Sequence, residues 1–554
     1  KRLRGWLSYA FASEVFVVVS LTLFLPICLE QFARDNGFVL PDRTEPCSSA
    51  SSNLPATSEG RCVVKIGWAW IDTASFSLYV YSISVALQAL TVISMGSIAD
   101  RPSYRKPLLL TFALVGSCSA MLFLALPSSS SVWALSAILA LLSNVGFGAS
   151  VVAMNAYLPS LARDSPEVVR ALDELGASHA RSGGTETDGT IDLEPESEFH
   201  SEPVAALSSE PLLGRPHDLT ASQKKYNSVL SKATSRISSL GIASGYGAGI
   251  LLLLVALVPV TKLHGSTFSL RLAIGLSGIW WAAFSVPAAI WLPGAGPVSS
   301  MDDDRLYVED EGAKPESDWT LTSEIASAWK RLGVMLRWSQ IKRLQHTFRY
   351  LAAWFLLSDG FTTITSTAIL FGKTSLHMQP SSLILIGAIT PTLGIIGSLV
   401  FPALQRRFSW SNLKVLVILV IMVSLIPAYG CLGFLPVFRG HTAFGGLTTQ
   451  GEMFGLAVYF GFAYGAFQSY ARAFYAELLP PGEEARWYGL FSITDKSSSF
   501  VGPLIVGLIA DSTGNIRYAF FFLVVMIWLA VPVLLSVDVE KGRRDAGEYR
   551  YTIG

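Results

Sequence analysis

Residues 6–29 read WLSYAFASEVFVVVSLTLFLPICL, an apolar stretch whose only charged residue is Glu14. A bilayer core of about 30 Å is crossed by roughly 20 apolar residues in an α-helix, which satisfies its own backbone hydrogen bonds. The stretch therefore predicts a membrane-spanning helix. Because it is too long for a secretory signal peptide and has no small-residue cleavage site, we interpret it as the first span rather than a leader.

Apolar stretches of this length recur along the chain, and we refer to the twelve that we count as spans 1 to 12. Of the 554 residues, 51% are apolar and 15% are charged, whereas soluble domains average about 25% charged residues. The sequence thus predicts an all-α membrane protein of twelve transmembrane helices. Their approximate limits are 6–29, 73–98, 107–126, 132–158, 237–260, 270–292, 350–372, 381–404, 413–435, 453–478, 489–510 and 518–537.

Two long polar segments divide the chain. Residues 160–232 are rich in Ser, Glu, Pro and Gly and have little apolar content, so we expect a disordered cytoplasmic loop. Residues 294–348 form a linker in which apolar residues recur at helical intervals among Lys and Arg from Trp319 to Leu344, a pattern typical of a basic amphipathic helix. The domains expected from this division are a first bundle at 1–293, a second bundle at 349–537 and a cytoplasmic tail at 538–554.

The basic residues of the short loops and tails fall on one side of the predicted membrane. Since Lys and Arg are retained on the cytoplasmic side, both termini are expected there. The opposite side carries the loop from Gln31 to Trp70, which holds Cys47 and Cys62, the two cysteines best placed to pair in a disulfide. The basic residues are Lys1, Arg2, Arg4, Arg101, Arg105, Lys106, Arg406, Arg407, Lys414, Lys541, Arg543 and Arg544.

Several functional classes find no support. The formal net charge is zero, which gives no attraction towards nucleic acid. No Cys/His cluster indicates a metal site, and no cofactor is expected. Gly372-Lys373-Thr374 resembles the end of a phosphate-binding loop, but the upstream glycine is missing, so ATP-driven transport is not indicated. No nucleophile-elbow motif is present, and we do not expect an enzyme.

The two halves of the chain show weak internal similarity, which is the sequence trace of transporter repeats. Ser13-Glu14 of span 1 aligns with Ser358-Asp359 of span 7. Gly148 of span 4 aligns with Gly465 of span 10, and Gly249 of span 5 with Gly502 of span 11. The matches occur in the right order and in equivalent helices, so we predict two pseudo-symmetric six-helix bundles.

The turn between spans 2 and 3 carries a motif, Gly96-Ser97-Ile98-Ala99-Asp100-Arg101 followed by Tyr104-Arg105-Lys106. It resembles the G-x-L-A-D-R-x-x-R-K signature of the major facilitator superfamily, although Pro102 and Ser103 replace the usual residues. The resemblance implies that Asp100, Arg101 and Arg105 act in gating; the alternative is an ordinary basic turn. A weaker echo, GLIAD at 507–511, ends span 11.

Ionisable groups inside apolar helices are costly and usually face a cavity or a partner. In the fold of the major facilitators, helices 1, 4, 7 and 10 line the central cavity, and Glu14, Asn155, Asp359 and Arg472 fall one on each. A zwitterionic amino acid needs a cation for its carboxylate and an acid for its ammonium, and this set supplies both. The alternative is that an acid pairs permanently with Arg472 or with Lys496 as a structural link.

We assign roles on this basis. Arg472 and Asn155 are candidates for binding a carboxylate, and Glu14 and Asp359 for binding an ammonium or a coupling proton. Three further candidates lie on spans 10, 5 and 11. Gln468 lies one helical turn before Arg472, Tyr246 lies in the glycine-rich span 5, and Asp495-Lys496 in span 11 is either a coupling pair or a self-compensated pair near a helix start.

Four strings resemble the fungal autophagy-related protein 22 family. They are GWLSYAFASE at 5–14, FLLSDG at 355–360, RAFYAELLPPG at 472–482 and YGLFSITDK at 488–496. The resemblance implies a multi-pass protein of the vacuole membrane that exports amino acids, chiefly neutral and branched ones, after autophagic breakdown. The loop from Gln31 to Trp70 would then be luminal.

The sequence is best explained by a secondary transporter that exports amino acids such as leucine by alternating access, with protons as candidate coupling ions. One alternative is a transporter of another small cargo. The other is a membrane scaffold or receptor in autophagy, for which Glu14, Asp359 and Arg472 would be dispensable while deletion of residues 160–232 would not be tolerated.

Overall fold

The computed structural model describes residues 1–47, 61–100, 102–183, 216–263, 265–294, 321–435, 445–480 and 484–549. Most of these residues are helical. They form two compact units, one made of Lys1–Ala156 with Gly241–Gly554 and the other of Tyr157–Leu240. The first unit contains the predicted spans.

The predicted spans are helices in the structure. Among the described residues, ten helices are long and apolar enough to cross a membrane. Span 10 is long but less apolar, and span 11 is divided into two short helices, so the structure is consistent with twelve spans. In order, the spans are Arg2–Asp35, Thr73–Asp100, Pro102–Leu122, Leu135–Asn155, Leu240–Lys262 (within the helix Pro216–Lys262), Thr267–Trp291, Gln345–Thr374, Pro380–Phe408, Asn412–Leu432, Gln450–Ala476, the pair Glu484–Ser498 and Val501–Thr513, and Ala519–Leu535.

The packing of the spans repeats from one half of the chain to the other. Span 1 packs against span 6 as span 7 packs against span 12, and span 3 packs against span 6 as span 9 packs against span 12. Likewise, span 2 packs against span 4 as span 8 packs against span 10. The predicted fold class, two pseudo-symmetric helical bundles, is therefore confirmed.

The glycines aligned between the halves also occupy equivalent places. Gly148 of span 4 lies against Gln88 of span 2, while Gly465 of span 10 lies against Gly394 of the equivalent span 8. Gly249 of span 5 faces span 1, and Gly502 of span 11 faces span 7. In each case the glycine permits the close approach of two helices, as small residues do in membrane bundles.

A small antiparallel sheet, which the sequence analysis did not predict, lies between spans 1 and 2. Its strands are β1 (Phe38–Val39), β2 (Cys62–Ile66) and β3 (Ala69–Asp72), in the order β1-β2-β3. Cys47 and Cys62 are joined in a disulfide with their Cα atoms 6.0 Å apart. We refer to this side of the bundle as the sheet side.

Residues 160–232, for which we expect disorder, include helices in the part that the structure describes. Helices occupy Leu158–Arg163 and Pro166–Gly183, and a third begins at Pro216. Val168, Ala171 and Leu175 recur at helical intervals and are buried, a short amphipathic pattern that the polar composition concealed. Residues 184–215 lie outside the described residues.

Within the unit Tyr157–Leu240, two helices are joined by salt bridges. Lys225 Nζ lies 2.5 Å from Glu174 Oε2, and Arg236 Nη1 lies 3.1 Å from Glu167 Oε1. The order of these pairs along the chain indicates that the two helices run antiparallel. Part of the long polar loop is therefore a helical hairpin.

The amphipathic linker helix is present but interrupted. It spans Leu321–Met335, and after an extended residue at Arg337 a short helix follows at Trp338–Arg343. The first helix packs against span 2, where Trp329 Nε1 donates a hydrogen bond to Ser94 Oγ at 3.2 Å. Trp319 lies outside the described residues.

We predict that Gly465→Ala destabilises the second bundle, whereas Gly455→Ala on the same helix does not. A methyl group on Gly465 would overlap the backbone of Gly394, but nothing lies within 4 Å of the position it would take on Gly455. Overpacking of this kind costs about 1–3 kcal/mol. Thermal unfolding of the purified variants in detergent measures the difference, and equal melting temperatures would contradict this account of the packing.

Candidate functional site

A cluster of polar and charged side chains brings together five spans from both halves. Its first member, Glu14 of span 1, is partly exposed and packs against Gly245 of span 5. The charges of Lys496 on span 11 and Arg472 on span 10 act on its carboxylate. Within the described residues Glu14 forms no salt bridge, so it and the exposed Arg472 are separate charged groups of opposite sign.

Tyrosines and an amide lie beside these charges. Tyr246 of span 5 interacts electrostatically with both Glu14 and Arg472, and its side chain is 38% exposed. On span 10, Gln468 Nε2 donates a hydrogen bond of 2.7 Å to the hydroxyl of Tyr464. Tyr464 in turn interacts with Tyr246 and Arg472, so the cluster extends from span 5 to span 10.

Asp359 of span 7 is buried and already bonded. Its two carboxylate oxygens accept hydrogen bonds of 3.0 and 2.8 Å from the backbone N–H of Gly502, and Thr363 Oγ1 donates another at 3.4 Å. Gly502 is the second residue of the helix Val501–Thr513, whose N-terminus carries free N–H groups and a partial positive charge. This arrangement favours the structural alternative for Asp359.

The Asp495-Lys496 pair lies just before the break in span 11, near the end of the helix Glu484–Ser498. Lys496 Nζ lies 3.5 Å from Asp495 Oδ2, and Ser358 Oγ donates to Asp495 Oδ1 at 2.5 Å. The two charges of the pair compensate each other. The bond from Ser358, the residue before Asp359, joins the pair to span 7. The side chain of Lys496 is 44% exposed and that of Asp495 is 30% exposed, so neither is sealed off by the pairing.

The remaining predicted residues lie at the ends of spans 2, 3 and 4. Asn155 is the exposed last residue of span 4, and no hydrogen bond among the described residues joins it to Glu14 or Arg472. Asp100 ends span 2 and Arg101 lies outside the described residues. Arg105 Nε donates to the carbonyl of Ala99 at 2.9 Å, which closes the turn between spans 2 and 3. A gating role for this turn stays a prediction.

A set of charges that was not predicted from the sequence joins the two halves on the sheet side. Arg61 Nε lies 3.1 Å from Asp72 Oδ2, at the start of span 2, and Arg61 Nη2 lies 3.6 Å from Asp511 Oδ1, at the end of span 11. Arg61 also donates to the carbonyls of Asp511 and Ala510, and the N–H of Asp72 donates to Asp511 Oδ1 at 2.9 Å. We refer to Arg61, Asp72 and Asp511 as the sheet-side latch.

Further contacts hold the halves together near the latch. Ser75 Oγ donates to the carbonyl of Gly507 at 2.9 Å, and Ser82 Oγ to that of Phe500 at 2.7 Å, which joins span 2 to span 11. Lys373 of span 7 donates to Gln31 of span 1 at 3.3 Å. The GLIAD echo at 507–511 was the sequence signal for this interface. Arg61 lies in a polar loop and gave no signal.

Comparison with known proteins decides the family. A family model described as vacuole effluxer Atg22 like matches residues 1–547. The chain belongs to this family of vacuole effluxers. The autophagy-related protein 22 of Cryptococcus neoformans is 42% identical over 99% of this chain and 96% of its own length. Autophagy-related protein 22-1 of Neosartorya fischeri is 39% identical over 99% and 91%.

The chain has the fold of the major facilitator transporters. The xylose transporter XylE of E. coli in an inward-open conformation aligns over 97% of this chain and 95% of its own, with a TM-score of 0.51 and 10% sequence identity. At such low identity the likeness concerns the fold alone. The predicted family and fold class are both confirmed, and they are those of a multi-pass membrane transporter rather than an enzyme.

We predict that Asp359→Ala destabilises the protein, because the N–H of Gly502 is left buried without an acceptor. Such a loss costs about 1–3 kcal/mol. Asp359→Asn keeps an acceptor oxygen and is expected to cost less, while Glu14→Ala, which removes no hydrogen bond described in the structure, is expected to change stability little. Thermal unfolding in detergent ranks the three variants. An unchanged melting temperature for Asp359→Ala would contradict the structural role.

We predict that Arg61→Met increases the population of molecules open on the sheet side by at least roughly tenfold, because bonds to a charged group contribute on the order of 1.5–3 kcal/mol. The matched control is Arg43→Met, since Arg43 stacks on Trp70 at 4.7 Å in the same polar loop. Distances between spin labels at the exposed Ser129 and Gln379 measure the populations. Equal distance distributions for Arg61→Met and wild type would show that the latch does not hold this face.

Proposed function

We propose that this vacuole effluxer is a secondary transporter that moves neutral amino acids, such as leucine, from the vacuole lumen to the cytosol by alternating access. The observation that carries the proposal is the pair of separate charges in the polar cluster. Glu14 comes from the first half and Arg472 from the second, neither is bonded to the other, and Arg472 is exposed while Glu14 is partly exposed.

The chemistry of the cluster fits a zwitterion. A carboxylate accepts strong hydrogen bonds from a guanidinium, and an ammonium donates to a carboxylate. Lys496 and Asp495 neutralise one another, and Asp359 is bonded to the N–H of Gly502, so Glu14 and Arg472 are left as one negative and one positive group without a bonded partner. A ligand with one positive and one negative group and an uncharged side chain matches this balance best.

The aromatic rings beside the charges favour an apolar side chain on the cargo. Tyr246 and Tyr464 flank Glu14 and Arg472, and Tyr464 stacks on Phe460 and Phe361 with ring centroids 5.1 and 5.5 Å away. Aromatic faces bind aliphatic groups by dispersion and by exclusion of water. We therefore favour neutral, branched amino acids over charged ones.

The proposed orientation places the termini in the cytosol and the sheet side in the lumen. Two independent features support it. Basic residues in short loops lie on the side of the termini. The disulfide between Cys47 and Cys62 lies on the opposite side, and disulfides persist in compartments outside the cytosol.

The way in which the halves are joined supports alternating access. The sheet-side latch and the span 2 to span 11 contacts hold the halves together on the proposed luminal side. Breaking the latch and rocking the halves would expose the cluster to the lumen, as in other transporters built from repeats. Protons remain the candidate coupling ion.

A scaffold in autophagy is the second candidate function. The helical hairpin in the unit Tyr157–Leu240 favours it, because a salt-bridged pair of helices offers a folded surface to a partner. This candidate requires no flux of any small molecule. It therefore differs from the transporter in the assay that follows.

We predict that proteoliposomes containing the wild-type chain exchange labelled leucine, and that Arg472→Ala lowers the rate by at least about tenfold, since a bond to a charged group contributes roughly 1.5–3 kcal/mol. Arg472→Lys is expected to retain part of the rate, and Glu14→Gln to lose it. Arg407→Ala, an exposed arginine at the end of span 8, is the matched control.

The outcomes separate the alternatives. Flux of a different labelled solute without flux of leucine would indicate another cargo. A folded wild-type protein with no flux of any solute tested would favour the scaffold. Equal leucine rates for Arg472→Ala and Arg407→Ala would contradict the assignment of the carboxylate site.

A further inference from the structure

Glu30, near the sheet-side end of span 1, is buried with an unbonded carboxylate oxygen. Its side chain is 1% exposed, and Oε2 has no hydrogen-bond partner. The closest basic group is Arg34, whose Nε lies 3.7 Å from Oε1, too far for a good hydrogen bond. None of the residue assignments made from the sequence used Glu30.

Other acids inside the described part of the bundle are differently placed. Asp359 is bonded to the N–H of Gly502, and Glu14 is partly exposed. Glu452 is 5% exposed but accepts hydrogen bonds from Tyr429 and from the backbone at its own helix start. Among these acids, Glu30 alone combines full burial with an unbonded oxygen.

The charged groups around Glu30 come from several elements. Arg34 and Asp35 lie on its own helix, Lys373 on span 7, and Asp72 at the start of span 2, and the charges of all four act on Glu30. Of these, Lys373 donates to Gln31, and Asp72 is bonded to Arg61. The other elements packed against this end of span 1 carry Lys65 on β2, which is exposed, and Arg271 on span 6, which donates to the carbonyls of Phe123 and Leu124.

We propose that Glu30 is a proton-binding site, which takes up one proton when the sheet side of the bundle closes and releases it when that side opens. A buried ionised carboxylate with an unbonded oxygen is costly, and protonation removes the charge. Opening would separate span 1 from span 7 and admit water to Glu30, where the ionised form is stable near neutral pH.

The direction of the effect follows from linkage. If closing binds a proton, a lower pH on the sheet side favours the closed state, by up to about tenfold in the ratio of closed to open molecules for each pH unit. The neighbouring Asp72 is bonded to Arg61 in the sheet-side latch, so its carboxylate belongs to the latch and not to the proton site. Burial raises the pKa of the Asp72 carboxyl, the hydrogen bond from Arg61 lowers it, and the Asp511 charge raises it. In the proposed orientation, an acidic lumen would favour closure of the luminal face.

The inference rests on the alternating access of the proposed function but not on its cargo. The test uses the full chain in lipid nanodiscs, with spin labels at Ser129 and Gln379, both exposed on the sheet side. The free cysteines are replaced and the Cys47–Cys62 disulfide is kept. The ratio of closed to open molecules is measured from about pH 7.5 to about pH 5. Most exposed carboxylates titrate below this range, so they contribute little to the response.

For the wild type, we expect the closed fraction to rise as the pH falls. Glu30→Gln, a neutral isostere, is expected to be mostly closed at every pH, and Glu30→Met, neutral and of similar length, repeats the test if the glutamine variant folds poorly. Asp35→Asn is the matched control, because Asp35 is partly exposed and bonded to Gln31 and Thr267, so it should keep the wild-type pH response.

Arg61→Met separates the latch from the proton site, since it should raise the open fraction at every pH while keeping the pH response. A pH-independent ratio in the wild type, or a wild-type response in both Glu30 variants, would overturn the proton site. Neither result would bear on the identity of the cargo, which the leucine flux assay tests separately.

Discussion

The high cost of an ionisable side chain inside a lipid-embedded bundle governs this structure, because each such group must find a partner, water or a proton. Four acids of the bundle meet this requirement in different ways. Asp359 accepts the N–H of Gly502, and Asp495 is paired with Lys496 and Ser358. Glu14 stays accessible opposite Arg472, and Glu30 is buried with an oxygen unbonded. The roles that we propose for them, as anchor, ligand site and proton site, rest on these surroundings.

The duplication of the bundle explains why two aligned acids have separate roles. Glu14 packs against Gly245 of span 5, and Asp359 packs against Gly502 of span 11, the equivalent helix. Span 5 is continuous at Gly245, so its N–H groups are already bonded within the helix. Span 11 is broken just before Gly502, which frees an N–H for Asp359. One local break therefore turns an accessible acid of the first half into a structural anchor in the second.

The sequence was sufficient for the spans, the repeat and the charges of the central cluster, because apolar length and isolated charges are strong signals in membrane proteins. It was not sufficient where short-range signals are weak. Strands β2 and β3 span only Cys62–Ile66 and Ala69–Asp72. The break in span 11 that Asp359 caps was not predicted, although Gly502 and Pro503, in the first turn of the second helix, are residues typical of such a break. Arg61 is paired with Asp72 and Asp511 only in the folded protein, and no sequence pattern near Arg61 indicates these contacts.

The central claim is that Glu14 and Arg472 bind the two charged groups of one neutral amino acid. The most direct measurement is competition for labelled leucine bound to the purified chain, by unlabelled leucine, by leucinamide, which lacks the carboxylate, and by 4-methylpentanoate, which lacks the ammonium. The account predicts that leucine competes and that each analogue is at least about tenfold weaker, since each loses one bond to a charged group. Equal competition by either analogue would contradict the claim, because one of the two charges would then play no part in binding.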